Sequence, residues 1–254
     1  MKHRLPALLL TCAFVFGCAL PAAAYTAEQQ QELQIGQQEY QQLQQQGKIV
    51  TQSPYYAKLN PIAKRIAAVA DRKYFTPFRF ILVNDSQPNA FAVPGGNVYV
   101  TTAMMTYAKN QEELANVLCH ETSHDIHHDV MNLQPRMQTI GLIGGILSML
   151  THNSGLAQAA INIGATAEAG KFSRQVETNA DHTGAYMCAA ASYNPWGSVW
   201  LFKRFLSSGG SGTFEALSDH PRDDHRISDL ETLYRSDPAT FGRFNSNEAY
   251  AHPL

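Results

Sequence analysis

A chain of 254 residues, 44% hydrophobic and only 16% charged, holds enough apolar material for one large core or two small ones. Composition excludes a disordered, collagen-like or coiled-coil protein. A formal charge of −2, from 19 Lys+Arg against 21 Asp+Glu, leaves no basic footprint for nucleic acid.

The chain opens with an export pattern. Met1-Lys2-His3-Arg4 is a positive start, Leu5 to Leu20 is apolar, and Pro21-Ala22-Ala23-Ala24 offers a small-residue cleavage site before Tyr25. Residues 1–24 are therefore expected to be a signal peptide that directs export of the chain. A second exit is Val15-Phe16-Gly17-Cys18, similar to a lipobox, which would leave a lipoprotein anchored through Cys18. Without its leader the chain has a net charge of −4 and retains two cysteines, Cys119 and Cys188. The distance expected along their two helices argues against a close approach, so two buried free thiols are expected.

Residues 25–53 form a Gln-rich segment in which Leu33, Gly36, Tyr40 and Leu43 recur at helical spacing, predicting an amphipathic helix over 27–46. A second helix is predicted over 54–72. The period then changes. Residues 78–83, 90–93 and 98–101 read as strands of a small antiparallel sheet, with a hairpin centred on Gly95-Gly96. Asn110 with Glu113 resembles a capping box opening a helix from Gln111 to about Val130. After Pro135 come an apolar Gly-rich run, Ile140 to Leu150, and an Ala-rich segment, Leu156 to Ala169. The run is too short to span a bilayer and suits a buried hairpin or an apolar flap. Helices are predicted over 172–190, 195–206 and 221–235. The fold class expected is α+β, mostly helical, with the body of the protein over 54–254.

Ten histidines are many for so charge-poor a chain, and four fall between His120 and His128. His120-Glu121-Thr122-Ser123-His124 places two imidazoles one turn apart on one helical face, where both reach a single metal ion. Glu121 projects about 100° away, beside a metal-bound water and not onto the metal. A catalytic zinc takes three protein ligands and keeps one position open. Glu177 supplies the third, and Asp181, one turn on, is expected to reach a ligand imidazole, that of His120, to fix its tautomer.

His120-Glu121-x-x-His124 with Glu177-x-x-x-Asp181 resembles the gluzincin metallopeptidases. Asn89-Ala90-Phe91-Ala92-x-Pro94-Gly95-Gly96 is similar to the HtpX-like and CAAX-prenyl-endopeptidase family, as are Phe172-Ser173-Arg174-x-x-Glu177-x-x-Ala180-Asp181 and His220-Pro221-x-x-x-x-Arg226. The order of motifs is most similar to the exported BepA-like members. The resemblance implies a zincin-like zinc metalloendopeptidase with one Zn2+ per chain, polypeptide substrates and Glu121 activating the water. It implies misfolded or misassembled envelope proteins as substrates and outer-membrane proteins as partners. The strand edge at Asn89, Ala90, Phe91 and Ala92 would bind an extended peptide by strand addition. His220 or Arg226 would stabilise the oxyanion, or His220 would close the open metal position. One departure stands out: many members carry a histidine where this chain has Asp129, with His127 and His128 just before it. These two read as surface or supporting histidines, not a second metal site.

Overall fold

The computed structural model describes residues 25–132, 167–207 and 225–254. The leader with Cys18, the apolar run, most of the Ala-rich segment and His220 lie outside the described residues.

Helix α1 (Ala27–Gln45) is opened by a capping box in which Thr26 and Gln29 exchange side-chain to backbone hydrogen bonds. Its buried face is not the apolar stripe expected. Glu32, Gly36, Glu39 and Leu43 turn inward, while Leu33 and Tyr40 are half-buried. Gly36 makes the docking possible: a Cβ there would lie 2.4 Å from the Pro94 carbonyl oxygen. Two carboxylates thus accompany the helix into the interior.

The sheet contains β1 (Ile49–Val50), β2 (Arg79–Val83), β3 (Ala90–Val93) and β4 (Asn97–Thr101), in the order β1-β2-β4-β3. The β3–β4 hairpin turns through Gly95 and Gly96, both at positive φ (94° and 82°). The sheet is mixed, however, and not antiparallel. Residues 84–89 carry the chain past the place beside β2, so β4 returns into it and pairs with β2 in parallel. Strand alternation then serves two faces. Ile81, Val83 and Tyr99 pack with Leu43 beneath α1, and Leu82, Val98 and Val100 pack with Leu59, Ile62 and Ile66 of α2 (Tyr55–Ala70).

After the short α3 (Met104–Tyr107) comes α4 (Gln111–Ile126), the central element, buried against the sheet, α2, α5 (Ala167–Ala190) and α6 (Trp196–Ser207). Asn110 caps it, accepting the Glu113 N–H at 2.8 Å. The return half of the expected box is missing because the Glu113 carboxylate takes the Lys109 N–H and the Arg204 guanidinium instead. Helices α7 (His225–Ser236) and α8 (Pro238–Phe241) close a second cluster with α5 and α6 around Val199, Leu230, Tyr234 and Phe241. The fold is mostly helical α+β, as the residue pattern implies.

Candidate metal centre and active site

Helix α4 presents His120 and His124 side by side, with their Nε2 atoms 3.1 Å apart. From α5, the Glu177 carboxylate approaches both, at 3.4 Å from His120 Nε2 and 3.9 Å from His124 Nε2. The three ligand atoms lie within 4.8 Å of one another. Ligands about 2.0–2.1 Å from a tetrahedral ion sit a little over 3 Å apart, so the spacing fits a bound cation.

The surroundings sharpen this fit. Each imidazole has its own carboxylate behind it. Asp181 Oδ1 lies 3.0 Å from His120 Nδ1, and Asp129 Oδ2 is hydrogen-bonded to His124 Nδ1 at 2.8 Å. A carboxylate at Nδ1 holds the proton there and turns the Nε2 lone pair inward. Two lone pairs and a carboxylate then converge on one point, an arrangement that a cation satisfies. The titration of His120 has the same cause: burial opposes its charged form, yet Asp181 and Glu177 outweigh burial and raise its pKa.

Asp129 is the residue that motif spacing missed. It reaches back because α4 ends in a reversal: His127 stays helical, and His128 takes a left-handed conformation with φ 54°. The two remaining histidines of the cluster turn to other work. His127 Nε2 meets the Thr183 hydroxyl at 2.9 Å on α5, and His128 Nδ1 meets Glu32 at 2.9 Å on α1. The sequence signal for Asp129 was a carboxylate just past the end of the motif helix.

Glu121 is buried on the same helix, and its Oε2 accepts the Ala92 N–H of β3 at 3.3 Å. One turn on, Asp125 Oδ2 accepts the Gly96 N–H at 3.1 Å, and burial pushes its carboxyl well up. Two α4 carboxylates therefore align the hairpin beside the metal centre. Among the described residues strand β3 pairs only with β4 and borders the site as an edge. Since the Asn89 carbonyl bonds the Thr101 N–H, alternation turns the backbone groups of Ala90 and Ala92 outward, and the Phe91 ring stacks on Tyr99.

Arg226, on α7, reaches the same place with its guanidinium already engaged. Nε and Nη2 donate to Asp181 at 2.7 and 2.6 Å, Nη1 lies 3.3 Å from Glu177, and the plane covers Phe202. Burial alone would raise the Asp181 carboxyl, but Arg226 and His120 hold it down at about 2. A cleft beside His120 and Glu121 is lined by Ala90, Met104, Val117, Leu201 and Phe202, an apolar wall next to a polar centre. The expected site residues Glu121, His120, His124, Glu177, Asp181, Arg226 and Ala92 are brought together, and His220 lies outside the described residues.

Comparison with known proteins agrees with this geometry. The chain is 26% identical over 241 residues to the beta-barrel assembly-enhancing protease of Escherichia coli K12, covering 85% of this chain and 49% of that protein. The Yersinia pestis protein of the same name is 32% identical over 182 residues, 67% of this chain and 37% of the relative. The mitochondrial metalloendopeptidase OMA1 of Saccharomyces cerevisiae is 29% identical over 184 residues, 64% and 51% respectively. The chain thus spans about half or less of the length of these curated relatives. Residues 56–234 match the model of peptidase family M48, a stretch that contains His120, His124 and Glu177. The chain belongs to peptidase family M48, and His120, His124 and Glu177 form within it a group that could hold a metal ion.

Proposed function

We propose that the chain is a zinc-dependent endopeptidase of exported proteins, binding one Zn2+ through His120, His124 and Glu177. The observation that carries this is the convergence of two Nε2 lone pairs and one carboxylate, each imidazole backed by its own acid. Two nitrogens and one oxygen suit zinc with an open position. Bound there, zinc supplies a Lewis acid and makes water acidic enough to lose a proton near neutral pH.

The remaining steps fall to the chain's own residues. An extended substrate adds to the outer edge of β3 at Asn89, Ala90, Phe91 and Ala92, pairing through outward backbone groups other than the Ala92 N–H, which Glu121 holds, and this sets its backbone along the site. One substrate side chain enters the apolar cleft of Val117, Leu201 and Phe202. Glu121 takes a proton from the attacking water and returns it to the leaving amine nitrogen. Asp181 and Asp129 hold the two imidazoles. Arg226, whose charge is spent on Asp181 and Glu177, positions the third ligand. Stabilisation of the oxyanion is assigned to His220.

The start of the chain and its relatives supply the biological reading. Residues 1–24 act as a signal peptide, 25–53 as an accessory helical segment and 54–254 as the catalytic domain. Among the described residues no helix is long and apolar enough to cross a membrane. The chain then works in the bacterial periplasm, free or anchored through Cys18. Relatives named for enhancing β-barrel assembly support misassembled envelope proteins as substrates and outer-membrane proteins as partners.

The test is Glu121→Gln against wild type on an unfolded protein substrate, with zinc content measured in both. Zinc should stay at one per chain while cleavage falls by at least about 10²-fold. Undiminished cleavage by the folded, zinc-loaded variant would sink the assignment.

A further inference from the structure

Helix α5 runs antiparallel to α4 along several turns. His124 meets Glu177, His120 meets Asp181, and the His120 backbone lies against Gly184, so the α5 partner moves forward as the α4 position moves back. Along that seam lies a pair of side chains that the catalytic chemistry does not use. Cys119, the residue before His120, and Cys188 place their sulfurs 2.6 Å apart. Both are fully buried. Two non-bonded heavy atoms rest at about 3.5–4.0 Å, and an S–S bond measures about 2.05 Å.

The backbone explains the approach. Gly184 sits one turn before Cys188, and a Cβ on it would lie 3.1 Å from His120 N and 3.3 Å from the Cys119 carbonyl carbon. The helices meet at a separation set by a glycine, and the sulfurs fall one turn beyond that meeting point. Both cysteines are buried free thiols in this structure, as expected, but the expectation that they lie apart is overturned. It counted turns along α5 from Glu177, whereas the antiparallel run keeps α5 beside α4 past the metal centre.

We propose that Cys119 and Cys188 form a disulfide that clamps the two metal-bearing helices together, His120, Glu121 and His124 on one and Glu177 on the other. The oxidant is a disulfide, either a small molecule such as glutathione disulfide or an oxidised dithiol protein. One cysteine thiolate attacks the oxidant's S–S bond and expels one thiol. The second cysteine thiolate attacks the resulting mixed disulfide and expels the other. The protein loses two protons and two electrons and gains one S–S bond, while the oxidant's S–S bond becomes two thiols. Because both sulfurs are sealed in the folded chain, the exchange belongs to folding, before α4 and α5 close. Burial also pushes the Cys188 thiol well up, and afterwards shields the bridge from reductants. The supply of oxidant rests on the export reading above; the geometry does not.

The full chain, unfolded and reduced, is refolded with zinc in buffer containing glutathione disulfide, then denatured without reductant and alkylated. Cys119 and Cys188 should take no label, and peptide mapping should recover them as one cross-linked pair. Relative to the chain refolded without oxidant, Tm should rise by roughly 10 °C. Zinc release to a chromophoric chelator should slow about tenfold or more. Full alkylation of both thiols after oxidative refolding overturns the proposal, and so does a bridge that leaves Tm and zinc release unchanged. A bridge formed in glutathione buffer but missing from chain taken from cells supports the site and overturns the export reading instead.

Discussion

Asp181 on α5 and Glu39 on α1 are carboxylates shut away from solvent to nearly the same degree, 6% and 0% exposed. Burial pushes both carboxyls up, yet they end at opposite extremes. Arg226 lays two hydrogen bonds on Asp181, His120 adds a contact, and the carboxyl is held at about 2. Neither oxygen of Glu39 has a hydrogen-bond partner among the described residues, and only the charge of Lys48 opposes burial, so its carboxyl rises to about 7. Partners, and not depth, decide the state of a buried acid. The α4–α5 seam is therefore cross-braced by charge around the metal centre. The α1 seam is held by packing and by the bonds of Glu32 to Tyr74 and His128, and it carries in Glu39 a group that titrates near neutral pH.

The largest effect should come from removing the brace. Arg226→Ala leaves Asp181 and Glu177 as two buried anions facing each other, and breaking such a pair costs about 3–5 kcal/mol. The variant's urea midpoint without metal should fall accordingly, and Arg226→Lys should recover part of the loss without the two-pronged geometry. An unchanged midpoint in Arg226→Ala would show that the contrast with Glu39 is not energetic.

A smaller effect isolates the second imidazole. Asp129→Ala removes the acceptor at His124 Nδ1, and losing such a partner weakens metal affinity by about 10–100-fold. Asp129→Asn keeps an oxygen at that position and should lose less. Zinc titration against a competing chelator reads both. Equal affinities for wild type and Asp129→Ala would mean that His124 is oriented by packing alone.

Much of this centre was legible from spacing. His120, Glu121 and His124 follow from helical periodicity, and Glu177 and Asp181 follow from the need for a third ligand and an imidazole partner. Asp129 was not legible, because its approach depends on the left-handed turn at His128, a conformation with no strong signature in a histidine. The longer helices were read within a few residues, but the short α3 and α8 and the parallel pairing of β2 with β4 were not, since strand order depends on where a loop crosses and not on local pattern. The α1 face was misread for a related reason. Apolar spacing pointed to Leu33 and Tyr40, whereas the bonds of Glu32 to Tyr74 and His128, and the close crossing at Gly36, turned two carboxylates inward. Such partners come from distant segments, and a pattern along one helix does not contain them.

The α1 seam yields the smallest and most specific prediction. Glu39 is acted on by Lys48 and lies beside Tyr99, whose hydroxyl is itself pushed up by burial and by Glu39, so Glu39 changes charge near neutral pH there. Its folded pKa of about 7 exceeds the unfolded value near 4.5, so between those pH values the folded chain holds more protons than the unfolded one. Stability must then fall as pH rises through that window, and the loss is complete above about 7. Glu39→Gln replaces the carboxyl by a neutral group of the same shape and removes this dependence. Wild type and variant should unfold alike near pH 4, and the variant should become the more stable as pH rises, by on the order of 1 kcal/mol at pH 8. Denaturant unfolding of both proteins at a series of pH values measures the difference directly. Parallel curves across the whole range would place the Glu39 carboxylate in water, and with it remove the distinction between the two seams.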